Sequence, residues 1–133
     1  MKTPLRILGL LLLCCLGSGA RAGGLYVICH PGVKLQPGDV RDMFLGEKQF
    51  AGSVTLQPAD NNAAQPAFLD KVLMMGAGKY ATAWTKKSFR DGLNPPPVKG
   101  TDAEALDYVR RTSGACSYMS SAPGPGVVLI ATL

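Results

Sequence analysis

The chain has 133 residues, 47% of them hydrophobic and 17% charged, a balance that suits one folded domain and excludes a disordered or collagen-like polymer. Its formal net charge of +5 rests on fourteen basic against nine acidic residues, but Lys2, Arg6 and Arg21 fall within the first 22 positions. The remaining eleven basic and nine acidic residues form no basic stripe, so nucleic acid is not an expected partner.

Lys2 and Arg6 are followed by an apolar run from Ile7 to Leu16 and then by Gly17, Ser18, Gly19, Ala20, Arg21 and Ala22. A basic start, an apolar middle shorter than the ~20 residues of a membrane span and an A-x-A ending are the parts of a secretory signal peptide. Residues 1–22 are therefore expected to be removed after Ala22, leaving a domain over 23–133 with no stable membrane insertion. Cys14 and Cys15 depart with the signal, while Cys29 and Cys116 remain, each in an apolar run of strand character. In an oxidising compartment that pair is compatible with one disulfide, and equally with two buried thiols acting as small hydrophobes. Two distant cysteines and a single histidine, His30, have no zinc-ligand spacing, and no cofactor is expected.

Residues 25–30 read as a short buried strand, stopped by Pro31 and Gly32. A helix follows over 40–45, with Asp39 at its start, Gly46 at its end and Val40, Met43 and Phe44 on one apolar face. A glycine-containing turn over 49–53 leads to a second strand, 54–58, ended by Pro58. Asp60, Asn61 and Asn62 supply caps ahead of a helix over 66–74, whose Phe68, Val72 and Met75 keep i, i+4, i+7 spacing. Gly76 and Gly78 break it, and a further helix over 80–89 places Tyr80 and Trp84 one turn apart with Phe89 beyond.

Residues 90–100, with Pro95, Pro96 and Pro97 in succession, are expected to cross the surface as an extended loop. Thr101 and Glu104 then form a capping box for a helix carrying Ala105, Leu106 and Val109. Strands over 114–119 and 127–132 close the chain. The order predicts an α/β fold, a single compact domain in three layers, with helices on both faces of a sheet.

Catalytic signals are missing. No G-x-S-x-G elbow or Cys and His pairing surrounds His30, no phosphate-binding glycine loop occurs, and Asp39, Asp42, Asp60, Asp91, Asp102 and Asp107 sit where capping and solvation explain them. The chain is therefore not expected to be an enzyme. The donors at the start of the 66–74 helix, near Asn61 and Asn62, suit a small anion, with Lys86 or Lys87 as the nearby cation. Asp60 competes for the same donors.

With these motifs in place, the chain resembles a family of small exported bacterial proteins labelled phosphate ABC-transporter substrate-binding-like, which look like a shortened type 2 periplasmic binding protein. The residues that carry the resemblance are Asp42-Met43-Phe44-Leu45-Gly46, similar to D-I-F-L-G, the turn over 50–52 and the strand 54–58. Phe68 with Val72 and Leu73, Trp84 with Phe89, Pro95 with Pro96, and Gly114-Ala115-Cys116-Ser117-Tyr118-Met119, similar to G-A-I-G-Y-V, follow in the same order. Ser117 replaces a glycine of that pattern, and residues 58–63 replace the Arg and Ser-Gly-Thr stretch of full-length phosphate receptors. The resemblance implies a periplasmic domain equivalent to one lobe of a two-lobed binding protein. It implies a small phosphate-like anion as ligand and an ABC permease or envelope sensor as partner; the contacts offered for the anion, Asn61, Asn62 and Lys86, come from the reading of the helix start above. The alternative is an envelope interaction module that keeps this fold without the ligand.

Overall fold

Tyr26, Val27, Ile28 and Cys29 form strand β1 (Tyr26–Cys29), and their alternation decides what lies on each face of the sheet. The computed structural model describes residues 24–133; the expected signal peptide lies outside the described residues. Val27 and Cys29 pack with one apolar cluster, Ile28 with another, and helices cover both. The chain continues as α1 (Asp39–Phe44), β2 (Phe50–Ala51), β3 (Val54–Thr55), β4 (Gln57–Pro58), β5 (Asp60–Asn61) and α2 (Gln65–Phe68). A π-helical turn (Leu69–Leu73), α3 (Ala77–Asp91), β6 (Val98–Lys99), α4 (Asp102–Arg111), β7 (Ala115–Met119) and β8 (Val128–Thr132) complete it.

The main sheet runs β4-β7-β1-β8, with β1 antiparallel to both neighbours and β4 parallel to β7. Val40, Met43, Phe44, Phe68, Leu73, Tyr80 and Trp84 pack on the face of Val27, Cys116 and Tyr118. Val109 of α4 packs with Ile28, Ala115 and Met119 on the other. The result is the three-layer α/β domain that the sequence predicts. Cys29 lies directly opposite Cys116, the two Cα atoms 4.0 Å apart, and their sulfurs are bonded between the two central strands.

Helix α1 ends as its residues dictate. Gly46 adopts φ +73°, and a Cβ there would lie 2.8 Å from the Trp84 ring and from the Lys87 side chain, so glycine is what lets α3 rest on this corner. At the other end Asp39 is the first helical residue, and its carboxylate accepts from the Gln36 N–H at 3.0 Å instead of capping the helix.

Four expectations change. The strand expected over 54–58 divides at buried Leu56: β3 folds back on β2 as a hairpin, whereas β4 leaves to join β7. Pro58 is tolerated because β4 is an edge strand. Asp60 and Asn61 do not cap a helix; they form β5, parallel to β6, with the Asp60 N–H donating to the Pro97 carbonyl at 2.8 Å. The proline segment crosses as the expected extended loop and is pinned to the domain where it enters β6. In the helix expected over 66–74, the π-helical turn shifts the buried stripe to Phe68, Leu69 and Leu73, leaving Val72 and Met75 half-buried.

The fourth change concerns α3, which starts before Tyr80 and takes in Gly78. Tyr80, Trp84, Lys87 and Asp91 fall at i, i+4, i+7 and i+11, so Lys87 turns inward to meet Glu47 at 3.1 Å and Asp91 at 3.9 Å. Phe89 lies off that stripe and is 89% exposed. The capping box of α4 forms in part: the Glu104 N–H donates to Thr101 Oγ1 at 3.1 Å, while the Glu104 carboxylate accepts from the Gly100 N–H at 2.9 Å.

Because the bond between Cys29 and Cys116 closes a loop across 87 positions, chain entropy makes it a strong constraint on the unfolded state. Cys29→Ala with Cys116→Ala is expected to lose about 2–5 kcal/mol of unfolding free energy. Denaturant titration of the oxidised wild type and the double variant measures it, and coincident midpoints would contradict a stabilising bond.

Candidate functional site

Strand β5 carries an acidic residue into the interior. Asp60 is 2% exposed, and a carboxylate so placed requires donors. It has two: Tyr118 Oη donates to Oδ1 at 2.7 Å and Tyr80 Oη donates to Oδ2 at 2.8 Å. Burial raises the Asp60 pKa above its ordinary 3.8, and the two tyrosine hydrogen bonds work against that rise. Burial, followed by the facing carboxylate, drives both tyrosine hydroxyls far upward, so they stay protonated and keep donating.

The surrounding side chains hold this arrangement in register. The Tyr118 ring stacks on Phe68 with centroids 3.9 Å apart, and Phe44 meets Phe68 edge-on at 4.7 Å. Trp84 Nε1 donates to the Phe44 carbonyl at 3.0 Å, which ties α3 to the end of α1. Ser117 Oγ donates to the Ala59 carbonyl at 2.7 Å, joining β7 to the residue before Asp60.

Asn61 is fully buried, with every polar group of its side chain engaged. Its Nδ2 donates to Asp102 Oδ1 at 2.8 Å and to the Tyr118 carbonyl at 2.9 Å, and its Oδ1 accepts from the Ala63 N–H at 3.0 Å. Asp102 also accepts from the Ser120 N–H, the Ser120 hydroxyl and the Ser121 hydroxyl. Burial alone would raise its pKa, but the hydrogen bonds from Ser120, Asn61 and Ser121 outweigh burial and bring it below the usual carboxylate value.

An open groove of about 530 Å³ lies between α3 and the extended segment preceding β6. Asp60 and Tyr80 contribute to its lining beside Trp84, Phe89, Pro95 and Pro96. Asn61, Asn62 and Lys86 do not line it. Asn61 faces the α4 start instead, Asn62 is exposed with its N–H bonded to the Lys99 carbonyl at 2.8 Å, and Lys86 is exposed on α3.

Sequence reasoning missed Asp60, Tyr80 and Trp84 as groove residues, since it placed the first as a cap and read the other two only as one turn apart on a helix. One signal was available: tyrosine and tryptophan carry polar tips that demand partners when a helix face is buried. Among the described residues no cluster of His, Cys, Asp and Glu is disposed to hold a metal ion. The arrangement sets a buried carboxylate, each oxygen hydrogen-bonded by a tyrosine, beside the aromatic lining of the groove.

The raised Asp60 pKa has a definite sign. The native state holds that proton more tightly than the unfolded chain, so this group adds stability as pH falls through its raised value, levelling off below 3.8. Asp60→Asn removes the contribution. The stability of the variant relative to wild type is expected to fall from pH ~7 to pH ~4, measured by denaturant titration across that range, and a pH-independent difference would contradict it.

No protein-family model and no curated protein matches the chain. Among solved structures, PstS from Borrelia burgdorferi is similar with a TM-score of 0.52 at 12% sequence identity. The likeness covers 74% of this chain and 41% of the PstS chain, so the protein spans less than half of PstS. At that identity the similarity is one of fold: a mixed α/β domain consistent with one lobe of a PstS-like binding protein.

Proposed function

We propose that this is an exported solute-binding-like domain that captures phosphate or another small anion in the periplasm and passes it, or its signal, to an ABC permease or envelope sensor. The observation that carries the reading is the fold likeness to PstS. The residues similar to D-I-F-L-G support it, because Phe44 and Gly46 make the corner on which Trp84 sits. Asn62 and Lys86 are the expected contacts still open to solvent, and Asn61 serves by fixing the turn through Ala63. Among the described residues no helix is long and apolar enough to cross a membrane.

Calorimetric titration of the protein without residues 1–22 tests the anion. Saturable heat with phosphate is expected, reduced in Asn62→Ala with Lys86→Ala. Heat no larger than dilution would sink phosphate as the ligand. The second reading, an envelope interaction module, is favoured by exposed Phe89 beside Pro95 and Pro96, and it is the one that a silent titration would leave standing.

A further inference from the structure

We propose that the groove over Asp60 is a binding site for a small aromatic amine, separate from the expected anion contacts. One wall is a face of α3 that presents Ala77, Tyr80, Trp84 and Phe89; the other is the extended segment with Pro95 and Pro96. The pairing of β5 with β6 fixes the two walls relative to each other, and the Asp60 N–H bond to the Pro97 carbonyl lies at their junction. A volume of about 530 Å³ lies in the range of sites for small molecules, and those sites are lined mainly by apolar and aromatic groups with a few placed polar ones.

Charge selects among the molecules that fit. Asp60 is the one acidic side chain among the described residues lining the groove, and no Lys, Arg or His is among them. Lys86 stands outside the lining, and Arg90 is bonded to Asp91 at 3.1 Å. Tyr80 and Tyr118 both direct their hydroxyl hydrogen bonds at Asp60, and each carboxylate oxygen keeps further acceptor capacity. The Thr85 hydroxyl is likewise donated, to the Ala81 carbonyl at 3.0 Å. Gln65 and Ser88 serve as donor or acceptor, so they do not decide the sign. The floor therefore favours a donor and disfavours an anion, while the Tyr80, Trp84 and Phe89 rings favour a flat ring and a nearby cation.

Trp84 is the single tryptophan of the chain, so intrinsic fluorescence reports on this groove directly. Three probes separate the elements of the claim: phenethylamine, phenylacetate with the same ring and opposite charge, and ethylamine with the charge and no ring. Phenethylamine is expected to give a saturable change with a midpoint at least about threefold below that of phenylacetate, and ethylamine none. Phe89→Ala, at an exposed position that leaves folding intact, is expected to raise the phenethylamine midpoint about threefold. Asp60→Asn is expected to erase the preference for amine over carboxylate. A linear quench without saturation, equal midpoints for the amine and the carboxylate, or an unchanged midpoint in Phe89→Ala would each overturn the proposal. Should Asp60→Asn fail to fold by circular dichroism, the probe comparison and Phe89→Ala decide the question.

Discussion

A single buried carboxylate organises this domain. Asp60 accepts one hydrogen bond from α3, through Tyr80, and one from β7, through Tyr118, while its own N–H reaches the segment before β6. An unpaired carboxylate at that depth would cost several kcal/mol, so the two donors are a condition for the strand to lie where it does. Once Tyr80 is placed, Trp84 follows one turn later and reaches the Phe44 carbonyl, and α1 must end beneath it. Gly46 is the space that this docking requires.

The same constraint explains what was legible in the sequence. Periodicity within one element is a local property, and it identified β1, α1, the Tyr80 and Trp84 stripe, the Thr101 cap and the last two strands. Pairings between distant segments are not local. Two residues, Asp60 and Asn61, are too short a strand to show a period of two, and their partner Val98 and Lys99 lies beyond a run of prolines. Asp and Asn before a helix read as caps, because capping is their common role; here burial beneath α3 and α4 assigns them elsewhere. Helical geometry continues the buried stripe of Tyr80 and Trp84 to Lys87, not to Phe89, and the Lys87 charge is met by Glu47 and Asp91.

Of the expected anion contacts, Asn61 is the one the structure commits fully, and its partners are internal. Polar residues of this part of the chain thus serve mainly to hold β5 between α4 and β7. What that support leaves open is the groove along α3, framed by the proline segment that β5 itself pins down. Fold and site are coupled here through one strand of two residues: the residue that anchors the helix also lines the groove.

The most direct test of that coupling is a double-mutant cycle on Tyr80→Phe and Tyr118→Phe, read as unfolding free energy at neutral pH. Each single change is expected to cost about 1–3 kcal/mol, because each takes one donor from a buried carboxylate. The pair is expected to cost less than the sum by about 0.5 kcal/mol or more, since Asp60 takes up a proton once its donors are reduced. Losses that add to within about 0.3 kcal/mol would show two independent contacts and contradict a shared anchor.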